Sequence, residues 1–76
     1  MIHTKKVTVK NRDVLVYLRS DGPYHSVTES VSSRSGTRIN NHKYLNDYQS
    51  ALEFFNAYSE DNANEFLNRR IKDDVK

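Results

Sequence analysis

No cysteine occurs among the 76 residues, which excludes a disulfide framework, a thiol nucleophile and any thiolate-held metal. No apolar run approaches the roughly 18 residues of a membrane span. Met1-Ile2-His3-Thr4-Lys5-Lys6 leads into no apolar stretch, so no secretory leader is expected and the cytosol is the default compartment. Glycine occurs twice and proline once, too few for a linker. The length fits one domain, residues 1–76, with no room for a second. Apolar residues are scarce as well. Leu, Ile, Val and Phe make up 18 of the 76 residues, a little above the ~20% typical of disordered chains, and mean hydropathy is −0.88. Below about 70–80 residues, burial gains and ordering entropy nearly cancel. Well-formed secondary structure, or a partner that covers apolar surface, must therefore supply the remainder.

The first half reads as strands. Lys5-Lys6-Val7-Thr8-Val9-Lys10 alternates polar and apolar at period two, as a half-buried strand does. After the polar connection Asn11-Arg12-Asp13, Val14-Leu15-Val16-Tyr17-Leu18-Arg19 forms a second strand in hairpin relation to the first. Ser20-Asp21-Gly22-Pro23 is a strong turn signal. Tyr24 to Ser33 reads as a third strand with Val27 and Val31 on one face and Glu29 awkwardly between them, where a bulge would be no surprise. Arg34-Ser35-Gly36-Thr37 is a further turn, and Arg38 to Asn40 adds a short fourth strand.

From Tyr44 the period changes. Leu45, Tyr48, Leu52 and Phe55 recur at helical spacing. Asn46 is the expected N-cap, with Gln49 closing a capping box. Ser59-Glu60-Asp61-Asn62 interrupts the pattern, and Ala63, Phe66, Leu67 and Ile71 give a second stripe. Two helices joined by a tight turn is the reading, against one continuous helix as its competitor. The expected organisation is a β half at 1–43, a helical half at 44–72 and a frayed tail at 73–76. The predicted fold class is α+β: a three- to four-stranded antiparallel meander followed by two helices packed on one sheet face, because neither layer can bury its apolar side alone.

Charge is unevenly distributed. Residues 1–43 hold eight basic residues against three acids, and residues 44–76 hold four against seven. The helical charges suit the helix dipole: Glu60 and Asp61 at an N-terminus, Arg69, Arg70 and Lys72 at a C-terminus. The strand alternation puts Lys6, Lys10, Tyr17 and Arg19 on an open sheet face, with Arg12 in the first connection. Arg34 and Arg38 flank the Ser/Gly turn, Tyr24 opens the third strand, and Lys43 completes the basic set. Cations interleaved with aromatic platforms are what single-stranded nucleic acid requires, for phosphates and for base stacking. Exposed strand faces are also commonly lysine-rich for solubility alone. Leu15, on the same open face, favours a protein partner or a homodimer, because phosphates have no use for it.

No catalytic constellation is visible. His3, His25 and His42 lack metal-ligand spacing on any one element, and a His42–Asp47 pair would have no nucleophile nearby. Ser32-Ser33-Arg34-Ser35-Gly36-Thr37-Arg38 has the hydroxyls, glycine and guanidinium groups of a phosphate cradle. It lacks the strand–loop–helix context and the lysine of a P-loop. Tyr44, Tyr48, Phe54, Phe55 and Tyr58 lie on the helical stripe and read as core, with Phe54, off the centre of that stripe, as an interface candidate. A binding protein without catalytic residues, metal or cofactor is expected.

A very short cysteine-free hairpin half followed by a Tyr/Phe-rich helix, here Tyr44-Leu45-Asn46-Asp47-Tyr48 through Ala51-Leu52-Glu53-Phe54-Phe55, resembles small accessory proteins of bacteriophages. Many of these antagonise host defence, among them anti-CRISPR proteins and inhibitors of RNA-cleaving toxin–antitoxin systems. The resemblance is architectural and carries over no residue roles. It implies action by binding in the bacterial cytoplasm, to RNA or to a host defence protein complex. Many anti-defence proteins are acidic DNA mimics. With an isoelectric point near 9.0 this chain departs from that pattern, which favours contact with RNA, DNA or an acidic protein surface.

Overall fold

The computed structural model describes residues 2–33 and 35–70. Four strands, β1 (Ile2–Val9), β2 (Arg12–Asp21), β3 (Tyr24–Ser32) and β4 (Arg38–Leu45), precede two helices, α1 (Tyr48–Ala57) and α2 (Glu60–Arg70). The strands form one antiparallel sheet in the order β1-β2-β3-β4, a simple meander. Tight turns set its register. Lys10 and Asn11 both take positive φ, 51° and 61°, the signature of a two-residue type I′ hairpin turn whose twist matches the strands. At the opposite end Gly22 has φ 60° and Pro23 has its φ fixed near −65° by the ring, the sign pattern of a type II′ turn.

Both helices cover the same face of the sheet, α2 against β1 and α1 across β2, β3 and β4. The strand alternation decides which face. Val14, Val16 and Leu18 of β2 and Val27 and Val31 of β3 are fully buried against Ala51, Ala63, Phe66 and Leu67. Burial of each large apolar side chain contributes about 1.5–3 kcal/mol, so this one cluster carries most of the fold.

Four local expectations are corrected. The fourth strand runs to Leu45, so Tyr44 and Leu45 belong to the sheet and not to the helical stripe. Asn40, Asn41 and His42 are poor strand formers in isolation; pairing with β3 overrides that preference. The N-cap of α1 is Asp47, whose carboxylate accepts from the Ser50 backbone N–H at 2.7 Å, and not Asn46. Arg12 is the first residue of β2 and pairs with Val9, so it lies in the ladder and not in a connection. Finally, β3 pairs without a bulge through Glu29, whose side chain stays on the helix-covered face. The break between the helices falls at Tyr58–Ser59, where the Asn62 side chain accepts from the Ser59 N–H at 2.9 Å. Ile71 and the expected tail at 73–76 lie outside the described residues. Among the described residues no helix is long and apolar enough to cross a membrane.

Candidate functional site

The helices leave one face of the sheet uncovered, and its side chains fall in registered rows. Ile2, Arg19, Ser26 and Tyr44 form one row; Thr4, Tyr17, Thr28 and His42 the next; Lys6, Leu15, Ser30 and Asn40 the third. Thr8 and Asp13 on one hairpin, with Ser32 and Arg38 on the other, close the face at the end of the β1–β2 turn. Among the described residues, Ile2, Tyr24 and Tyr44, 61%, 70% and 71% exposed, are the large apolar side chains most open to solvent, and all three lie on this face near the Gly22–Pro23 end.

Of the residues expected to contact nucleic acid, Lys6, Tyr17, Arg19, Tyr24 and Arg38 share the uncovered face, together with the interface candidate Leu15. The others are distributed differently. Lys10 sits in the β1–β2 turn and reaches Asn68 of α2 at 3.4 Å. Arg12 donates through Nη1 to the Ser32 carbonyl at 2.8 Å. Lys43 is on the helix-covered side, with its ammonium 4.9 Å from the Phe54 ring centroid. Phe54 is half-buried there, edge-on to Tyr58, so it shares no surface with Leu15. Arg34 lies outside the described residues.

Most of the positive charge therefore gathers near the β1–β2 turn, while Arg19, in the row of Ile2 and Tyr44, lies at the other end. Lys6, Lys10, Arg12 and Arg38 line a cleft of about 630 Å³ between the β1–β2 turn and the start of β4, with Ser32 and a single acid, Asp13. Arg38 lies flat over β3. Its Nε and Nη2 donate to Ser30 Oγ at 3.1 and 2.9 Å, and its Nη1 to Ser32 Oγ at 2.8 Å. This explains why Ser30 is only 2% exposed on a face that no helix covers. Both of these partners are neutral hydroxyls, so the guanidinium is oriented while its charge is retained. Asp13 accepts from Thr8 Oγ1 at 2.8 Å.

Tyr44 and His42 are members of this face that sequence reasoning missed. The signal was the alternation of β4, hidden because Tyr44 also fits a helical period. His42 Nδ1 is 2.8 Å from Thr28 Oγ1 and so is not paired with Asp47. Asp47 instead caps α1, and hydrogen bonds from Ser50 hold its carboxyl below the usual range.

Behind the sheet, Glu29 is 7% exposed and accepts from Tyr58 and from Asn41 Nδ2 at 2.9 Å, with Arg69 at 4.0 Å. Burial, and then the hydrogen bond to Glu29, raises the Tyr58 pKa well above that of an ordinary phenol. Lys5 donates to the Tyr58 carbonyl at 3.0 Å, and desolvation lowers its pKa. This cluster ties the helix junction to the sheet. Among the described residues no group of three or more His, Asp or Glu is placed to hold a metal ion. No protein-family model matches the chain, nor does any curated protein or solved structure.

Proposed function

We propose that this protein binds single-stranded nucleic acid, RNA in preference to DNA, along the uncovered face of its sheet. On this reading it is a small non-enzymatic accessory protein of phage type that acts on an RNA or RNA-containing host complex to inhibit an antiviral defence. One observation carries the proposal: Tyr17, Tyr24 and Tyr44 lie on the same uncovered face as Lys6, Arg19 and Arg38. Rings on an open sheet face offer stacking to unpaired bases, which a duplex would not present, and flanking cations take the phosphates. The preference for RNA rests on the resemblance to phage accessory proteins.

A second reading, a protein–protein inhibitor or homodimeric interaction module, is favoured by Ile2 and Leu15 on that same face. Fluorescence anisotropy of a short labelled single-stranded RNA tests the first reading. Binding at micromolar protein supports it, and no change in anisotropy at that concentration sinks it. Capture of host partners with and without RNase separates the two readings, because a partner that survives RNase favours the protein interface.

A further inference from the structure

The two most exposed tyrosines and the basic cleft lie at opposite ends of the sheet, with Arg19 beside the tyrosines. The exposed Tyr24 and Tyr44 lie at the Gly22–Pro23 end, and the cleft of Lys6, Lys10, Arg12 and Arg38 lies at the other. From the row of Ile2 to the row of Thr8 is six residues along β1, about 20 Å at ~3.4 Å per residue. That length accommodates roughly six stacked nucleotides at ~3.4 Å each, so a short strand laid along the β-direction would have its bases over the tyrosines and one end in the cleft.

Building on the proposed RNA reading, the geometry points to this cleft as a binding site for the terminal phosphomonoester of a single strand. The cleft, about 630 Å³, falls within the ~300–1,000 Å³ of small-ligand sites. Four cationic residues line it from three segments, Lys6 from β1, Lys10 and Arg12 from the turn and its exit, and Arg38 from β4, with Asp13 as the one acid among them; Lys10 also reaches Asn68 of α2 at 3.4 Å. An internal phosphodiester carries one charge. A terminal phosphomonoester carries about −1.5 to −2 and three acceptor oxygens, which matches converging donors better. Arg38 is already held by Ser30 and Ser32, so its planar fork is oriented before any ligand arrives.

The test compares three hexamers of one RNA sequence by titration calorimetry: 5′-phosphorylated, 3′-phosphorylated, and hydroxyl at both ends. The expected result is that one phosphorylated form binds about tenfold or more tighter than the hydroxyl form, the size of one charge-assisted hydrogen bond. The end that gains gives the polarity of the strand. The gain is expected to fall to nearly nothing in Arg38→Gln and in Lys10→Ala, two exposed sites whose folded state is checked by circular dichroism. Equal affinity for all three hexamers overturns the cleft assignment while the RNA reading stands. A gain undiminished in both variants also overturns it. Absence of binding by every hexamer removes the RNA reading and the cleft assignment with it.

Discussion

The hydroxyl of Tyr58 donates to the carboxylate of Glu29 at 2.5 Å, between the helix junction and the middle of β3. A carboxylate in this position would be strongly destabilising without partners, and its partners come from three elements: Tyr58 after α1, Asn41 on β4 and Arg69 on α2. Removal of the phenol oxygen leaves part of that demand unmet. Tyr58→Phe is expected to lower stability by about 1–3 kcal/mol, seen as a lower urea midpoint at unchanged slope. Glu29→Gln is expected to lose less, because a neutral amide still accepts from Tyr58 and needs less solvation. A Tyr58→Phe protein as stable as the parent would refute this account.

The same contact predicts an alkaline limb. Burial and the Glu29 bond make the folded state hold the Tyr58 proton more tightly than the unfolded chain does. The stabilisation is therefore complete below the unfolded phenol pKa of about 10 and declines as pH rises beyond it. Between about pH 9 and pH 11 the parent is expected to lose stability faster than Tyr58→Phe, by up to ~1.4 kcal/mol per pH unit above the phenol pKa. Parallel urea titrations of the two proteins at both pH values measure this difference, and parallel losses would contradict it.

Stacking on the uncovered face is testable residue by residue. Tyr24→Ala and Tyr44→Ala are each expected to weaken single-stranded RNA binding by about 1–3 kcal/mol. Thermal unfolding should change little, since both rings are mostly exposed. Lys43→Ala, on the helix-covered side, is expected to leave RNA affinity unchanged. Equal effects of all three substitutions would mean that the uncovered face is not the platform.

Phosphate contact carries a salt signature. Neutralisation of about four phosphates gives a slope of log affinity on log salt near −3, a loss of roughly fiftyfold between 50 and 200 mM. Lys6→Ala and Arg19→Ala are expected to weaken binding to all sequences alike, because backbone contacts carry no base information. Affinity indifferent to salt argues against these cations as contacts.

The protein-partner reading makes the opposite demand. Leu15→Asp and Ile2→Asp would abolish self-association or partner capture, while Lys6→Ala and Arg19→Ala would do little. Sedimentation at tens of micromolar distinguishes them: a monomer of the parent chain removes the homodimer version.

How far the sequence could be read depended on whether each signal was local. The Val7/Val9 and Val14/Val16/Leu18 alternations identified the first hairpin and its buried face, and Gly22-Pro23 placed the second turn, because side-chain period and φ preference act within a few residues. Tyr44 shows where this stops. Its spacing fits the helical stripe, yet it lies on β4 with its ring exposed on the opposite side of the sheet from α1. Lys43 shifted in consequence, from an expected open-face contact to a cation over Phe54.

Alternation, turn chemistry and the later change to a helical period were enough to specify a meander followed by two amphipathic helices with one apolar face between them. Those features depend only on neighbours in the chain. Tertiary pairing decided the rest. The register of β4 against β3 carried Tyr44 to the aromatic end, brought Arg38 over Ser30, and set Asn41 beside Glu29. The placement of two turns at one end gathered Lys10, Arg12 and Arg38 around a single cleft. Residues this far apart in sequence share no local signal. Their proximity follows from hydrogen-bond registry between strands, which only the folded chain establishes.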